Sequence, residues 1–272
     1  MEKTLALLVT CCLLLSATAL KLPDFVKKCS LKDPEFNACA LKNAREALPH
    51  IVNGLKKFQI PVLDPLIVEE IRAVDGQIDM AGLNVRVEGI RNAILESIRS
   101  HPAREFCEAG WHRHTDRSNT LSVHSFDFDQ KKIAAEVVVP EAHFSGRYEV
   151  KGKLLTLPLS GNGPFNSTFY HLYVKYVTTF DLTKHDDGHV YLEPKEYKVH
   201  FQPKNVKAHL GNLFNGNTVL GDIMNQFINE NWREVLQELG QPTYDALGLV
   251  VHKILNNTMR VVPYKDLFDD TD

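Results

Sequence analysis

The sequence predicts an α+β fold in which helices at both ends flank a long antiparallel sheet. Three observations carry this reading. Apolar residues recur at helical spacing from about Pro34 to Lys57; apolar and polar residues alternate from beyond Pro65 to about Phe214; and a broad apolar stripe at helical spacing runs from Val219 to Thr258.

The first helix opens at Asp33-Pro34, an N-cap followed by proline at the first helical position. Ala40, Ala44, Ala47, Leu48, Ile51, Val52 and Leu55 form its apolar side, with a kink expected at Pro49. Pro61 and Pro65 then mark an extended connection. In the alternating region Leu83, Val85 and Val87 form one apolar face, and Ile133, Ala135, Val137 and Val139 form another as far as Pro140. Beyond it Ala142, Phe144, Tyr148 and Val150 take over, a switch of phase that predicts a bulge at Pro140. Tyr170, Leu172, Val174, Tyr176 and Phe180 make a third face, and Tyr197, Val199 and Phe201 a fourth. Turns are expected at Gly161-Asn162-Gly163-Pro164 and at Asp186-Asp187-Gly188. The final helical stretch carries Ile223, Phe227, Val235, Leu236, Leu239, Leu247, Val251, Ile254 and Leu255 on one stripe, with a break at Gly240-Gln241-Pro242. A helix of this length needs a long apolar partner, and the inner face of the sheet is the partner the sequence offers.

One segment departs from the pattern. Ala93 to Asn119 shows no alternation, and removing it would join two strand-like pieces into a short hairpin. A loop this long inside a compact domain is uncommon. It reads as a functional insertion, a disordered loop, or translated non-coding sequence retained in a gene model, with the last two preferred.

The chain has 272 residues, 44% apolar and 24% charged, and 31 Lys and Arg against 34 Asp and Glu leave a net charge of -3. A near-neutral balance gives no basic footprint for nucleic acid and no polybasic patch for anionic lipid. Residues 1–19 read as a secretory signal: Lys3, an apolar run from Leu5 to Leu15, and the small-residue site Ala17-Thr18-Ala19. The run is too short to span a bilayer and no later apolar run is long enough, so stable membrane insertion is not expected. In a secreted chain Cys29 and Cys39 read as a disulfide, with Cys107 left over. Asn166 and Asn256 fit the glycosylation pattern.

No enzyme motif appears: there is no G-x-S-x-G elbow, no H-E-x-x-H and no P-loop. Cys107, His112 and His114, with His101 and His124 nearby, have the side chains that zinc favours but no standard spacing. No catalytic residue, metal site or cofactor is therefore assigned.

Motifs at both ends and in the centre resemble the takeout and juvenile-hormone-binding protein family of insects. They are Asn212 to Asn217, Leu220-Gly221-Asp222, Phe227 to Glu234 and Val262 to Phe268, with Cys29 and Cys39, Ile60 to Leu66, Gly146-Arg147-Tyr148 and Leu157 to Gly163. The resemblance covers most of the chain apart from Ala93 to Asn119. It implies a single domain over 20–272 with a TULIP-like fold, a highly curved antiparallel sheet wrapping the long C-terminal helix around an elongated apolar tunnel. It also implies a secreted, extracellular, monomeric haemolymph carrier of a terpenoid or fatty acid, associated with circadian, feeding or chemosensory physiology.

A carrier needs an enclosed apolar volume and a few polar groups, not a nucleophile. Alternation nominates Val137, Val139, Phe144, Leu172, Val174, Tyr176, Phe201, Ile223 and Phe227 as lining, each also a candidate for plain core packing. Tyr148, Tyr170 and Tyr176 are candidates for the polar contact with the ligand. Trp232 is assigned to packing. The alternatives are a lipid-binding or transfer protein acting at membranes or in defence, a protein-binding signalling factor, and, more remotely, an extracellular esterase.

Overall fold

The computed structural model describes residues 20–75, 77–99 and 131–270. The expected signal segment, Cys107 and the histidines from His101 to His124 lie outside them. Helix α1 (Phe36–Ile51) is followed by seven strands: β1 (Leu66–Asp75), β2 (Ile78–Glu88), β3 (Ile94–Arg99), β4 (Lys132–Leu154), β5 (Leu157–Lys184), β6 (Val190–Gln202) and β7 (Asn205–Leu210). Helices α2 (Thr218–Glu230), α3 (Trp232–Met259) and the short α4 (Tyr264–Leu267) complete the chain.

Strands β4 and β5 form a central ribbon that pairs from Lys132 with Thr179 to Leu154 with Leu157. Each outer edge of this ribbon carries two strands end to end: β3 and β2 along β4, β6 and β7 along β5. The path through the sheet runs β1-β2-β4-β5-β6, and α3 packs against both β1 and β6, its first and last members. Two opposite edges reach a single helix only if the sheet bends around it. The long amphipathic helix and the long curved sheet are therefore one packing solution, each burying the apolar face of the other.

The contact between α3 and β6 has a matched step. Tyr244 packs on Phe201, Gly248 meets Val199, and His252 stacks on Tyr197. Four helical residues advance about 6 Å and two strand residues about 6.6 Å, so every fourth residue of the helix meets every second residue of the strand. Gly248 permits the close approach, since a Cβ there would lie 2.5 Å from Val199 Cγ1 and 2.8 Å from Tyr197 Cε2. The same arithmetic joins α2 to β7. The amide of Asn225 accepts from Leu210 N at 2.8 Å and donates to Leu210 O at 3.0 Å; that of Asn229 accepts from Ala208 N at 2.9 Å and donates to Ala208 O at 2.7 Å. Two side-chain amides four residues apart thus take the place of a neighbouring strand on the free edge of β7.

The Cys29–Cys39 disulfide is formed and packs with Phe36 and Phe268, bringing the start of the described chain against its end. Asp269 N donates to Cys29 O, and the Ser30 hydroxyl bonds to the Asp270 carboxylate.

Several local expectations are corrected. The C-terminal stretch breaks at Asn231, not at Gly240-Gln241-Pro242. Asn231 leaves helical geometry and turns its side-chain amide onto Phe227 O, whereas α3 continues through Pro242. Pro140 produces no register shift with β5; it falls between the stretches of β4 that pair with β3 and with β2, where the outer ladder makes no demand on its missing N–H. Gly161 to Pro164 is not a turn but lies inside β5, and the hairpin turns at Leu155-Thr156 instead. The glycines serve proximity: a Cβ on Gly161 would strike the Tyr148 hydroxyl, and one on Gly163 the carbonyl of Gly211. Helix α1 ends at Ile51 rather than Lys57, shortly before Gly54 takes a φ of 83°. The anomalous segment also starts later than expected, because Ile94–Arg99 pairs with Ala134 to Val138 of β4 as a strand. Its lack of alternation misled the reading. The turn at Asp186-Asp187-Gly188 is present, closed by His185 N on His189 O.

Candidate functional site

Between the inner face of the sheet and the helices lies an apolar cavity of about 200 Å³. That exceeds the roughly 150 Å³ of an engineered apolar cavity able to hold benzene. Six of the seven strands contribute to its wall, among them Ala73 of β1, Val85 of β2, Phe144 of β4, Phe169 of β5, Phe201 of β6 and Val206 of β7. Ile228 and Asn229 of α2 close one side. Helix α3 lines it from Trp232 through Val235, Leu236, Leu239, Thr243 and Tyr244 to Leu247, about 22 Å of helix axis at 1.5 Å per residue. No lining residue carries a formal charge.

Of the residues nominated from the sequence, Phe144, Tyr148, Leu172 and Phe201 stand on this wall. Val137, Val139 and Val174 lie beside it, in the cluster that also holds Leu172 and Phe201. Tyr170 is placed on β5 opposite Glu141 and Asn205. Phe227 packs with the cluster around Ile228 and Leu239, and Ile223 is 60% exposed on the outer side of α2. Asn166 is exposed on β5, whereas Asn256 is half-buried near the end of α3.

The polar groups of the wall are mostly committed. The Tyr148 hydroxyl donates to Gly211 O at 2.8 Å, and burial pushes its pKa up to about 12. Asn229 is taken up by Ala208 and by Asn225 O, and the Thr243 hydroxyl donates to Leu239 O at 2.9 Å. Tyr176, off the wall, shares a hydrogen bond with His252 Nδ1; burial again pushes its pKa up to about 12. Tyr148 and Tyr176 therefore offer no spare hydroxyl to the cavity, and Tyr170 is not among its lining residues.

Among the lining residues that the sequence did not nominate, two stand out. Trp232, assigned there to packing, stands on the wall with the Arg233 guanidinium 4.4 Å from its ring. Tyr244 lies between Phe201 and Gly240, and its place four residues after a glycine on the apolar stripe was the available signal.

Away from the cavity, the tip of the β5–β6 hairpin holds Glu193 between Lys195, at 2.8 Å, and His185, at 2.9 Å. The bonds from Lys195 and His185 hold the Glu193 carboxyl well below its usual range, at about 2. His185 is half-buried and stacks on Tyr191. Among the described residues no cluster of three or more His, Cys, Asp or Glu side chains is placed to hold a metal ion. None of the described helices is long and apolar enough to cross a membrane.

Comparison with known proteins places this geometry. The family model described as haemolymph juvenile hormone binding protein matches residues 6–110 and 117–269, and so runs into the segment that the sequence pattern set apart. The circadian clock-controlled protein daywake of Drosophila melanogaster is 23% identical over 253 residues, covering 91% of this chain and 88% of the relative. Its counterpart in Drosophila yakuba is 22% identical over 252 residues, covering 90% and 88%. The crystal structure of Takeout 1 from Epiphyas postvittana superposes with a TM-score of 0.72 at 25% identity, covering 90% of this chain and all of that one. The chain belongs to the haemolymph juvenile hormone binding protein family, with the takeout fold.

Proposed function

We propose that the protein is a secreted carrier that holds a small hydrophobic ligand, a terpenoid or fatty compound, in the cavity between α3 and the sheet. The observation that carries the reading is the uncharged cavity of about 200 Å³ lined along the inner face of α3. A volume of that size drawn out along roughly 22 Å of helix suits a slender chain better than a broad ring system. Each methylene moved from water into it contributes about 0.8 kcal/mol, so a dozen carbons supply roughly 10 kcal/mol before the costs of association. Micromolar to nanomolar binding follows without any catalytic group. The signal-like residues 1–19 and the Cys29–Cys39 disulfide support secretion, and residues 20–272 are proposed to form one domain that acts as a monomer. The name of the daywake relatives supports a role under circadian control.

The test is organic extraction and mass spectrometry of protein purified from its own tissue, together with titration of a fluorescent apolar probe followed through Trp232. A co-purifying neutral lipid, or saturable probe binding that Trp232→Phe makes silent, is the expected result. Protein that is ligand-free and indifferent to both terpenoid and fatty probes would overturn the reading.

A further inference from the structure

Resting on that reading, we infer that the Tyr244 hydroxyl is the point at which the cavity recognises its ligand: it donates a hydrogen bond to a neutral acceptor oxygen, such as an ester or ketone carbonyl, on an otherwise apolar chain.

Few polar groups on the wall are spare. Among the polar lining residues, Tyr148, Asn229 and Thr243 already have partners within the protein. Ser167 and Tyr244 are the lining hydroxyls with no hydrogen-bond partner among the described residues. A serine on a strand can turn its hydroxyl onto nearby backbone, whereas a tyrosine hydroxyl stands too far from its own backbone to do so. For a half-buried phenol the remaining partners are water or a ligand, and leaving it unpaired is costly.

The backbone beneath is shaped for this side chain. Gly240 and Gly248 occupy the helical row that carries Tyr244, one turn before it and one turn after. A Cβ at Gly240 would lie 2.9 Å from Tyr244 Cε2 and 3.2 Å from its hydroxyl, so the ring folds back over a bare stretch of helix. Gly240 is itself buried. Phe201, with its centroid 5.1 Å away, covers the ring from the sheet side. Glycine inside a helix is less favourable than alanine, and at position 240 the ring of Tyr244 takes up the space that the missing side chain leaves. Burial also raises the pKa of the phenol above its ordinary value, so the group remains a donor.

The charge of the ligand follows from the same wall. With no Lys, Arg or His among the lining residues, an ionised carboxylate would enter without a counter-ion, which is strongly unfavourable. A neutral ester or ketone needs only one donor.

The experiment compares three probes of matched length, methyl undecanoate, dodecanoic acid and tridecane, as competitors of a bound fluorescent dye at neutral pH. The full-length protein is expected to prefer the ester to both the acid and the alkane. In Tyr244→Phe the ester-to-alkane affinity ratio is expected to fall roughly 2- to 10-fold, the range for loss of one neutral hydrogen bond. An unchanged ratio, or an acid that binds as tightly as the ester, overturns the assignment while leaving the carrier reading in place. Failure of all three probes to compete overturns both.

Discussion

The Tyr176 hydroxyl lies 2.8 Å from Nδ1 of His252, so that one hydrogen bond ties strand β5 to helix α3. The ring of Tyr197 stacks on His252 at 4.6 Å and shields it from water. Burial lowers the pKa of His252 below its ordinary 6.5, which makes the contact sensitive to acid. Because the folded value is the lower one, the stability linked to this histidine is complete above the unfolded value of about 6.5 and is lost as pH falls through the folded value. The melting temperature of the natural protein should therefore drop more between about pH 8 and about pH 5 than that of His252→Asn, which keeps a polar group near Nδ1 but does not titrate. Equal drops in the two proteins would show that His252 is not the acid-sensitive contact.

The step of four helical residues to two strand residues makes Gly248 the tightest point of the α3–β6 contact. A methyl group there collides with Val199 and Tyr197, side chains held by the sheet on one side and the helix on the other. Gly248→Ala should lower stability by about 1–3 kcal/mol, as overpacking does, despite the better helix propensity of alanine. Chemical denaturation would measure it. A gain in stability would mean that the helix can move off the strand without loss.

What the sequence made legible follows from physical range. Period and composition are local, so Val219 to Thr258 read as helix and the region after Pro65 as strands. The need of such a helix for a long apolar partner pointed to the sheet. Where tertiary contact decides the outcome, the local signals misled. Gly161 and Gly163 carry a turn signature, yet they exist to let Tyr148 and the chain at Gly211 come close. Pro242 has the signature of a helix break, yet Asn231 makes the break by bonding to Phe227 O. The lining was legible only in part, because alternation fixes which residues share a face and not which part of that face stands over a void. Phe144 and Leu172 are on the wall and Val137 is not, although all three satisfy the same pattern. Tyr244 was missed because its meaning depends on Gly240 in three dimensions.

Asn225 and Asn229 test the idea that α2 acts as a substitute strand. Each satisfies both an N–H and a C=O of β7, at Leu210 and Ala208. Replacing Asn225 with leucine removes both partners of Leu210 in a part-buried setting, at a cost of about 1–3 kcal/mol for each group left unmet. The expected signature is faster amide hydrogen exchange at Leu210, with Ala208 following in Asn229→Leu. Unchanged exchange at both positions would mean that water replaces the side chains without loss and that the amides do not hold α2 in place.

Ala73 separates the cavity from the rest of the core. Its side chain is 2% exposed, lies on β1 and belongs to the cavity wall. In a fully packed core Ala73→Phe would cost about 1–3 kcal/mol through overpacking. Here the added ring has empty space of about 200 Å³ to enter, and filling it restores dispersion contacts that the lining lacks. The melting temperature should hold or rise while the affinity for an apolar probe falls at least about tenfold, equivalent to 1.4 kcal/mol. The opposing signs matter, because a merely disrupted fold would lose stability and binding together. Binding that survives at its original affinity in a protein of undiminished stability would place the ligand outside the cavity between α3 and the sheet.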